Sequence, residues 1–405
     1  MPPTELIYLA GAFLLLISIF SSQLANKFGI PALLFFLLTG WLMGQVGGFH
    51  IDSPIIARLV GDFALSFILF TAGLDTQWKE IRPVLWNGLK LSTIGVFMTM
   101  LLLGIFAWLM LDSFSSFSIG VKGISFSEAL LLAAIVSSTD AAAVFSVLRS
   151  SQIELKGNIK PLLELESSSN DPMAVLLTTT ILNLLIGENV SVVRSIFFLI
   201  LQLIVGIAVG FLAGKGSILL LNRLRLNALG LYAVASIALV LLTYSTSTFL
   251  KGNGFLAVYI AGIVLGNHRL KHQDYLYGFH DGFAWLMQII MFLSLGMLAV
   301  PFQAQLSTLA GVAISIGLFM MFVARPLGVF ISLLGTKMTF SEKLLIAWVG
   351  LRGSVPIVLA TFPLSVGIEQ AGEIFVVVSF IVVMSVFIQG LSLPVIARRL
   401  GLVVN

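Results

Sequence analysis

The feature that most constrains this chain is a succession of apolar runs, each long enough to cross a lipid bilayer as a helix. Of its 405 residues, 59% are hydrophobic and only 10% are charged, whereas ordinary globular domains carry about 25% charged residues. The runs therefore predict an all-α polytopic membrane protein. The thirteen predicted spans cover residues 5–22, 31–48, 59–75, 88–111, 127–149, 159–187, 192–221, 228–248, 254–267, 279–299, 305–334, 341–363 and 373–398.

The positions of the cations predict the orientation of the chain. If the thirteen spans alternate, sixteen of the 22 lysines and arginines fall on the side of the C-terminus and four on the side of the N-terminus. Cytoplasmic loops carry the excess of Lys and Arg. We therefore expect a bacterial inner-membrane protein with its N-terminus outside, its C-terminus in the cytoplasm, and no nucleic-acid partner. The two remaining cations, Arg325 and Arg352, lie inside apolar runs, where a charge is costly and usually paired or functional.

Carboxylates also interrupt the apolar runs, namely Asp140, Glu164, Glu166 and Asp171. Two of them belong to the stretch ESSSNDPMAV at 166–175. Residues four apart share a helix face. Ser167 should therefore point with Asp171 toward one neighbour, and Glu166 with Asn170 toward another, about 100° away. Burying a carboxylate costs more free energy of desolvation than its contacts return. The stretch therefore indicates a functional site and not residues that only hold helices together.

Two apolar runs carry small or helix-breaking residues at their centres. In AAIVSSTDAAAVFSV (133–147), small residues surround Thr139 and Asp140, and in WVGLRGSVPIV (348–358), two glycines and a proline flank Arg352. Interrupted helices at corresponding places in two halves are typical of inverted-repeat transporters with a site at the membrane midplane. The two halves share no obvious residue identity, so this repeat is inferred from the pattern alone.

Five ordered motifs resemble those of the monovalent cation/proton antiporters, and together they cover essentially the whole chain. Within that family, SSTDAAAV resembles the NhaP-type potassium/proton antiporters, called cell-volume-regulation proteins. The resemblance implies the sodium/proton antiporter fold, with thirteen helices in two inverted repeats, discontinuous crossing helices and a homodimer. The motifs are LFTAGLD (69–75), STDAAAV (138–144), ESSSND (166–171), ARP (324–326) and GLRGSVP (350–356).

The resemblance also implies roles for single residues. Asp171 would carry the ion or the proton, with Asp140, Ser167 and the backbone carbonyl of Thr139 alongside. Asn170 stands where the electrogenic branch has a second aspartate, so we expect one cation to be exchanged for one proton, without net charge movement.

The two arginines inside apolar runs are expected to have different roles. Arg325 would form an ion pair with Glu166, which would hold the sixth helix to the eleventh. Two roles are possible for Arg352. It could line the ion pathway, or its charge could stabilise the crossed helices in the place of a bound cation. We favour the second role.

The expected organisation is a single membrane domain over residues 1–405. Residues 1–111 and 192–299 would supply scaffold and dimer helices, except that the fourth helix joins the core. Residues 127–187 and 305–398 would form the mobile ion-binding core. The potassium branch usually continues into a cytosolic regulatory region, which we expect to be missing here, because the chain stops at Asn405.

The fifth helix departs from the family pattern at one position. Many relatives have a proline after its acid, where this chain has Ala141, and this difference leaves the extent of the helix break open. His268 and His272 have the spacing of metal ligands, but no glutamate is near them in the sequence, so no metal site and no cofactor are expected.

Alternative functions fit the sequence less well. An enzyme is not expected, because the motifs of intramembrane aspartyl proteases and zinc proteases are missing from the sequence. An ion channel would also have helix breaks and acidic residues, and it would pass current where an electroneutral exchanger passes none. The choice between K⁺, which we favour, and Na⁺ depends on cavity dimensions that the sequence does not define.

Overall fold

The computed structural model describes residues 4–28, 32–47, 51, 53–113, 124–187 and 192–404 of the chain. Asn405 and the ends of the second predicted span, at 31 and 48, lie outside these residues. The described residues form helices and the loops that join them, with one isolated β-bridge, between Leu155 and Val403. The prediction of an all-α membrane protein is confirmed.

The helices follow the predicted apolar runs closely. In chain order they are α1 (Thr4–Phe28), α2 (Ala32–Gly47), α3 (Pro54–Asp75), α4 (Trp78–Leu111), α5 (Phe126–Ile135), α6 (Ala141–Ser150), α7 (Ile159–Ile186), α8 (Val192–Arg223), α9 (Leu229–Phe249), α10 (Gly254–Gly266), α11 (Gln273–Leu298), α12 (Leu309–Ser332), α13 (Phe340–Trp348), α14 (Ser354–Val366) and α15 (Ala371–Arg399). Two predicted runs, 127–149 and 341–363, are each split into a pair of short helices, α5 with α6 and α13 with α14.

Seven helices of the described residues are long and apolar enough to cross a membrane: α3, α4, α8, α9, α11, α12 and α15. The other predicted spans correspond to shorter apolar helices or to α7, so the count of thirteen crossings stays a prediction. α7 has 28 residues, but four charged residues, Lys160, Glu164, Glu166 and Asp171, lie along it. Its polarity, and not its length, therefore separates α7 from the other long helices.

The two split helices begin with the same local structure and with shared residues. Ser125 at the start of α5 accepts a hydrogen bond from the Glu128 backbone, and the Glu128 side chain accepts one from the Ser125 N–H. Thr339 and Glu342 repeat this capping box before α13, and the letters FSE follow the cap residue in both places. The expectation that the two halves share no residue identity was wrong, because the identity lies in the helix caps.

The helices pack into two groups. In the first group, α3 packs against α10 and α11, α2 against α11, and α8 against α9 and α10. In the second group, α4 packs against α5 and α7, α5 against α7, α12 against α15, and α14 against α15. The most extensive contact between the two groups, among the described residues, joins α3 to α14. The candidate site lies in the second group, which α14 connects to the first.

Close approach between α8 and α10 depends on glycines in α8. A Cβ at Gly210 would lie within van der Waals overlap of the Ala257 carbonyl, and one at Gly214 would lie 2.7 Å from Val264 Cβ. Small residues at these positions let the two helix backbones approach closely, as is common in membrane helix packing.

Candidate functional site

The two helix breaks meet and are joined by a backbone hydrogen bond. The first break comprises residues 136–140 between α5 and α6, and the second comprises residues 349–353 between α13 and α14. The Asp140 N–H donates to the Leu351 carbonyl across 2.8 Å. The first break forms although Ala141 stands where many relatives have proline. The sequence left the extent of this break open, and the structure shows that it is five residues long.

Arg352 lies buried between the two breaks. Its Nη1 donates to the carbonyl oxygens of Ser137 (3.0 Å) and Ser138 (2.6 Å), and its backbone N–H donates to Ser385 Oγ (3.1 Å). The side chain is fully buried, and its Nε and Nη2 have no hydrogen-bond partner among the described residues. The two carbonyls directly follow α5, whose C-terminal end carries partial negative charge, so the guanidinium lies where its charge is stabilised.

Asp140 caps the second half of the broken helix. Its Oδ1 accepts a hydrogen bond from the Ala143 N–H across 3.0 Å at the start of α6, where the helix dipole favours a negative group. Gly353 packs directly against this carboxylate, and a Cβ at that position would overlap it. Glycine is therefore required at 353 for close approach between the two breaks.

Asp171 on α7 faces the first break. Ser138 Oγ donates to Asp171 Oδ1 across 2.5 Å. The loss of helix at 136–140 directs this hydroxyl away from α5 and toward α7. Ser138 belongs to the STDAAAV motif but was not predicted as a site residue. The only signal for it was its position two residues before an intramembrane acid.

Ser167 and Asn170 connect α7 to Thr139. Ser167 Oγ donates to the Thr139 carbonyl and accepts from the Ala141 N–H, each at 2.9 Å. Asn170 Nδ2 donates to Thr139 Oγ1 (2.5 Å), and Asn170 Oδ1 accepts from the Thr139 N–H (3.3 Å). The side chains of Ser167, Asn170 and Asp171 therefore all face one break.

The assignment of Asn170 to a different neighbour from Asp171 was wrong. Residues three apart share a helix face, just as residues four apart do. Ser167 and Asn170 are three apart, so they face the same neighbour. The break also presents backbone and side-chain groups over several residues, so one unwound segment meets more of the α7 surface than a straight helix would.

Glu166 and Arg325 form an ion pair at a distance from this cluster of hydrogen bonds. Arg325 Nη2 lies 2.6 Å from Glu166 Oε1, and both residues are 1% exposed. A π-helical turn, Met320–Ala324, directly precedes Arg325 in α12, and such turns are frequent at functional sites. Gly350 in the second break packs against the same guanidinium. The pair thus joins α7 to α12 beside the crossing.

The predicted site residues therefore form two assemblies. Asp140, Thr139, Ser167, Asn170 and Asp171 converge on the first break, with Arg352 behind its carbonyls, while Glu166 and Arg325 pair separately.

The two histidines with metal-ligand spacing lie elsewhere. His268 Nε2 lies 3.1 Å from Lys215 Nζ, and the His272 ring packs against the ring of Tyr232.

The candidate site and α14 differ in exposure. Asp140 and Asp171 are partly exposed, and so are Ser168 and Ser169, which lie closer to the start of α7. Toward the opposite end, residues 354–363 of α14 are all buried.

Comparison with known proteins shows which family this chain shares with its relatives. The family profile described as "Sodium/hydrogen exchanger, transmembrane" matches residues 12–399. The chain is 40% identical over 406 residues to a protein of Alkalimonas amylolytica named "K(+)/H(+) antiporter NhaP", covering 99% of this chain and 68% of that protein. It is 39% identical over 397 residues to "K(+)/H(+) antiporter NhaP2" of Shewanella oneidensis, covering 96% and 66%. The chain spans about two thirds of the length of these relatives.

The fold also matches a solved structure. The sodium proton antiporter MjNhaP1 from Methanocaldococcus jannaschii superposes with a TM-score of 0.79 at 25% identity, covering 97% of this chain and 99% of that one. The two proteins therefore share an overall fold.

Proposed function

Because the chain belongs to the transmembrane sodium/hydrogen exchanger family, we propose that it exchanges a monovalent cation for H⁺ by alternating access, with K⁺ as the favoured cation. The names of its two closely similar bacterial relatives support K⁺. A second candidate, Na⁺/H⁺ exchange, is supported by the name of the archaeal structure that the fold matches. Both candidates use the same site.

One observation carries the assignment of Asp171 as the shared carrier of the proton and the cation. Glu166 is paired with Arg325, and Asp140 caps α6. Asp171 is the remaining carboxylate at the crossing, and within the described residues it has a hydroxyl donor, Ser138, and no cationic partner. A proton or a cation can then neutralise the same carboxylate in turn.

Oxygen atoms around Asp171 supply the further ligands that a hard monovalent cation prefers. We assign this role to the Asp140 carboxylate, the Ser138 hydroxyl and the Thr139 carbonyl. That carbonyl already accepts a hydrogen bond from Ser167, but a carbonyl oxygen has two lone pairs, so one remains for the ion. Unwound backbone carbonyls at a broken helix are the usual cation ligands in transporters of this architecture.

Other residues set the charge of the site and hold its shape. Asn170 is neutral and fully buried, so Asp171 is the single carrier charge and the exchange is one cation for one proton. The unloaded site keeps a bare carboxylate, whose transfer through hydrocarbon is costly, so the core crosses only when loaded. The Arg352 charge stabilises the carbonyls that follow α5 and keeps the two breaks together.

Movement of the second helix group against the first would give alternating access. We assign residues 127–187 and 305–398, with α4, to the moving core, and α1–α3 and α8–α11 to the scaffold and to a homodimer contact. The excess of cations on the C-terminal side supports an N-terminus outside and a C-terminus in the cytoplasm of the bacterial inner membrane.

Exchange in proteoliposomes tests this proposal. Vesicles with an acidic interior and a ΔpH-sensitive dye should lose their pH gradient when K⁺ is added, and the half-maximal concentrations for K⁺ and Na⁺ decide between the two candidates. Asp171→Asn vesicles should show no response to either ion. A steady current at fixed voltage would instead identify a channel, and an unimpaired Asp171→Asn variant would place the carrier elsewhere.

A further inference from the structure

α3 and α14 pack against each other on the side of the bundle where α3 starts. α14 begins at the second break, beside Asp140, and runs antiparallel to α3 toward the end where α3 starts. Halfway along, a Cβ on Gly61 would lie 2.9 Å from Val358 Cγ1, so the α3 backbone packs directly against the Val358 side chain. Val358 is fully buried.

Arg58 reaches from α3 to the outer end of α14. Its Nη1 donates to Ser365 Oγ across 2.9 Å, and its guanidinium carbon lies 4.2 Å from the centre of the Phe362 ring. Phe362 is 2% exposed, so the cation covers a buried aromatic side chain of α14. Arg58 thus makes a polar and a cation–π contact with the helix that we assign to the moving core.

Asp62 gives the same guanidinium a second partner on its own helix. Arg58 Nε lies 3.7 Å from Asp62 Oδ2, one turn along α3. Asp62 Oδ1 is buried and has no hydrogen-bond partner among the described residues, so the carboxylate has capacity to take more of the arginine's donors. The contacts with α14 can therefore break without leaving the guanidinium unpaired.

We propose that Arg58, with Ser365 and Phe362, forms an outer latch that holds the N-terminal face closed and is released in every transport cycle. The inference rests on the proposed alternating access, and it adds the residues that keep one of the two routes shut. In the closed state Arg58 is shared between Asp62 and α14. In the open state it is held by Asp62 alone, and the core has moved away from α3.

A reversible cross-link between the two helices tests whether they separate. The sequence contains no cysteine, so Gly61→Cys with Val358→Cys introduces the only thiols. The built Cβ of residue 61 lies 3.7 Å from that of residue 358, within the range of about 3.5–4.5 Å that disulfides require. Oxidation should abolish cation/proton exchange in proteoliposomes, and reduction of the same vesicles should restore it.

A second pair, within the core, provides the matched control. A Cβ on Gly88 in α4 lies 3.4 Å from Leu165 Cβ in α7, a tenth of an ångström short of that range, so a small shift lets Gly88→Cys and Leu165→Cys form a disulfide that does not cross between the groups. This pair should exchange equally well when oxidised and reduced. Exchange by the fully oxidised 61–358 pair at its reduced rate would overturn the latch. Absence of exchange in both reduced pairs and in the unmodified chain would instead refute the proposed function.

Thiol accessibility tests the role of Arg58 itself. A single cysteine at 358 should react slowly with a membrane-impermeant maleimide applied from the N-terminal side. Arg58→Ala should accelerate labelling about tenfold or more, the factor expected when a hydrogen bond to a charged group is lost. Ser365→Ala removes the same bond and keeps the charge, so it should also accelerate labelling and serves if Arg58→Ala does not fold.

An arginine on a different helix, α8, supplies the control for charge. The guanidinium of Arg194 lies over Phe198 on its own helix, α8, and Arg194→Ala should leave the labelling rate unchanged. Equal labelling rates in Arg58→Ala, Ser365→Ala and the unmodified background would show that Arg58 does not hold this face closed.

Discussion

Removal of the Glu166 carboxylate should destabilise the protein by the cost of one unpaired buried charge. In Glu166→Ala, Arg325 loses its 2.6 Å partner while remaining 1% exposed. The guanidinium then keeps one long hydrogen bond, from Nη2 to the Ile346 carbonyl at 3.5 Å, and its Nε already has no partner among the described residues. Breaking one side of a buried pair costs about 3–5 kcal/mol, and the remaining contacts here are too weak to offset it.

The expected change in melting temperature follows from the size of the chain. An unfolding entropy of about 2.1 cal/mol/K per residue over 405 residues amounts to about 0.85 kcal/mol/K. The midpoint should therefore fall by about 4–6 °C in a thermal unfolding assay in detergent. The swapped variant, Glu166→Arg with Arg325→Glu, should recover part of this loss, because it restores opposite charges at the same positions.

Glu164, two residues away on the same helix, gives the matched control. Its side chain is 39% exposed and lies 3.9 Å from the Nζ of Lys160, which is 62% exposed. Pairs of this kind contribute about 0–1 kcal/mol, so Glu164→Ala should melt within about 1 °C of wild type. Equal melting temperatures for Glu166→Ala and Glu164→Ala would show that the buried ion pair does not stabilise the protein.

Three further substitutions address the site itself. Asp171→Asn should melt no lower than wild type and yet lose exchange of every cation, because an amide binds neither a proton nor a metal ion at physiological pH; pH-dependent exchange by this variant would contradict the assignment. Gly353→Ala should reduce exchange about tenfold or more, because its Cβ displaces the Asp140 carboxylate, and a wild-type rate would mean that Asp140 need not approach the second break. Asn170→Asp adds a second carboxylate beside Thr139, so its exchange should become sensitive to membrane potential; a rate unchanged between zero and −100 mV would count against a charge role for this position.

The long helices could be predicted from the sequence because their physical cause is local. Hydrophobic length alone places α7, α8 and α15 within two residues of the ends of their predicted runs. The second break was equally predictable, because glycines and a proline flank Arg352. The shared FSE letters lie at the very starts of two apolar runs, where polar cap residues carry no hydrophobic periodicity, so periodicity alone does not reveal them.

The first break could be located from the sequence but not delimited. No glycine or proline lies between Ile135 and Ala141, so local propensity does not require the helix to end there. The open backbone groups are satisfied by partners distant in sequence: Arg352 donates to two carbonyls, and the Leu351 carbonyl accepts from Asp140. The partners of Ser138 and Asn170 depend on the same tertiary contacts, which explains why one was missed and the other was assigned to the wrong neighbour.

If a single carboxylate carries either one proton or one cation, the rate of exchange should not depend on the membrane potential. Both loaded forms of the site then have equal charge, so the exchange rate in vesicles clamped at zero and at −100 mV should be the same. One net charge moved would change the driving force by about 2.3 kcal/mol per 100 mV. A rate that changes several-fold, or a transport current that persists on a solid-supported membrane after capacitance correction, would contradict the one-for-one scheme and make Asp140 the first residue to examine.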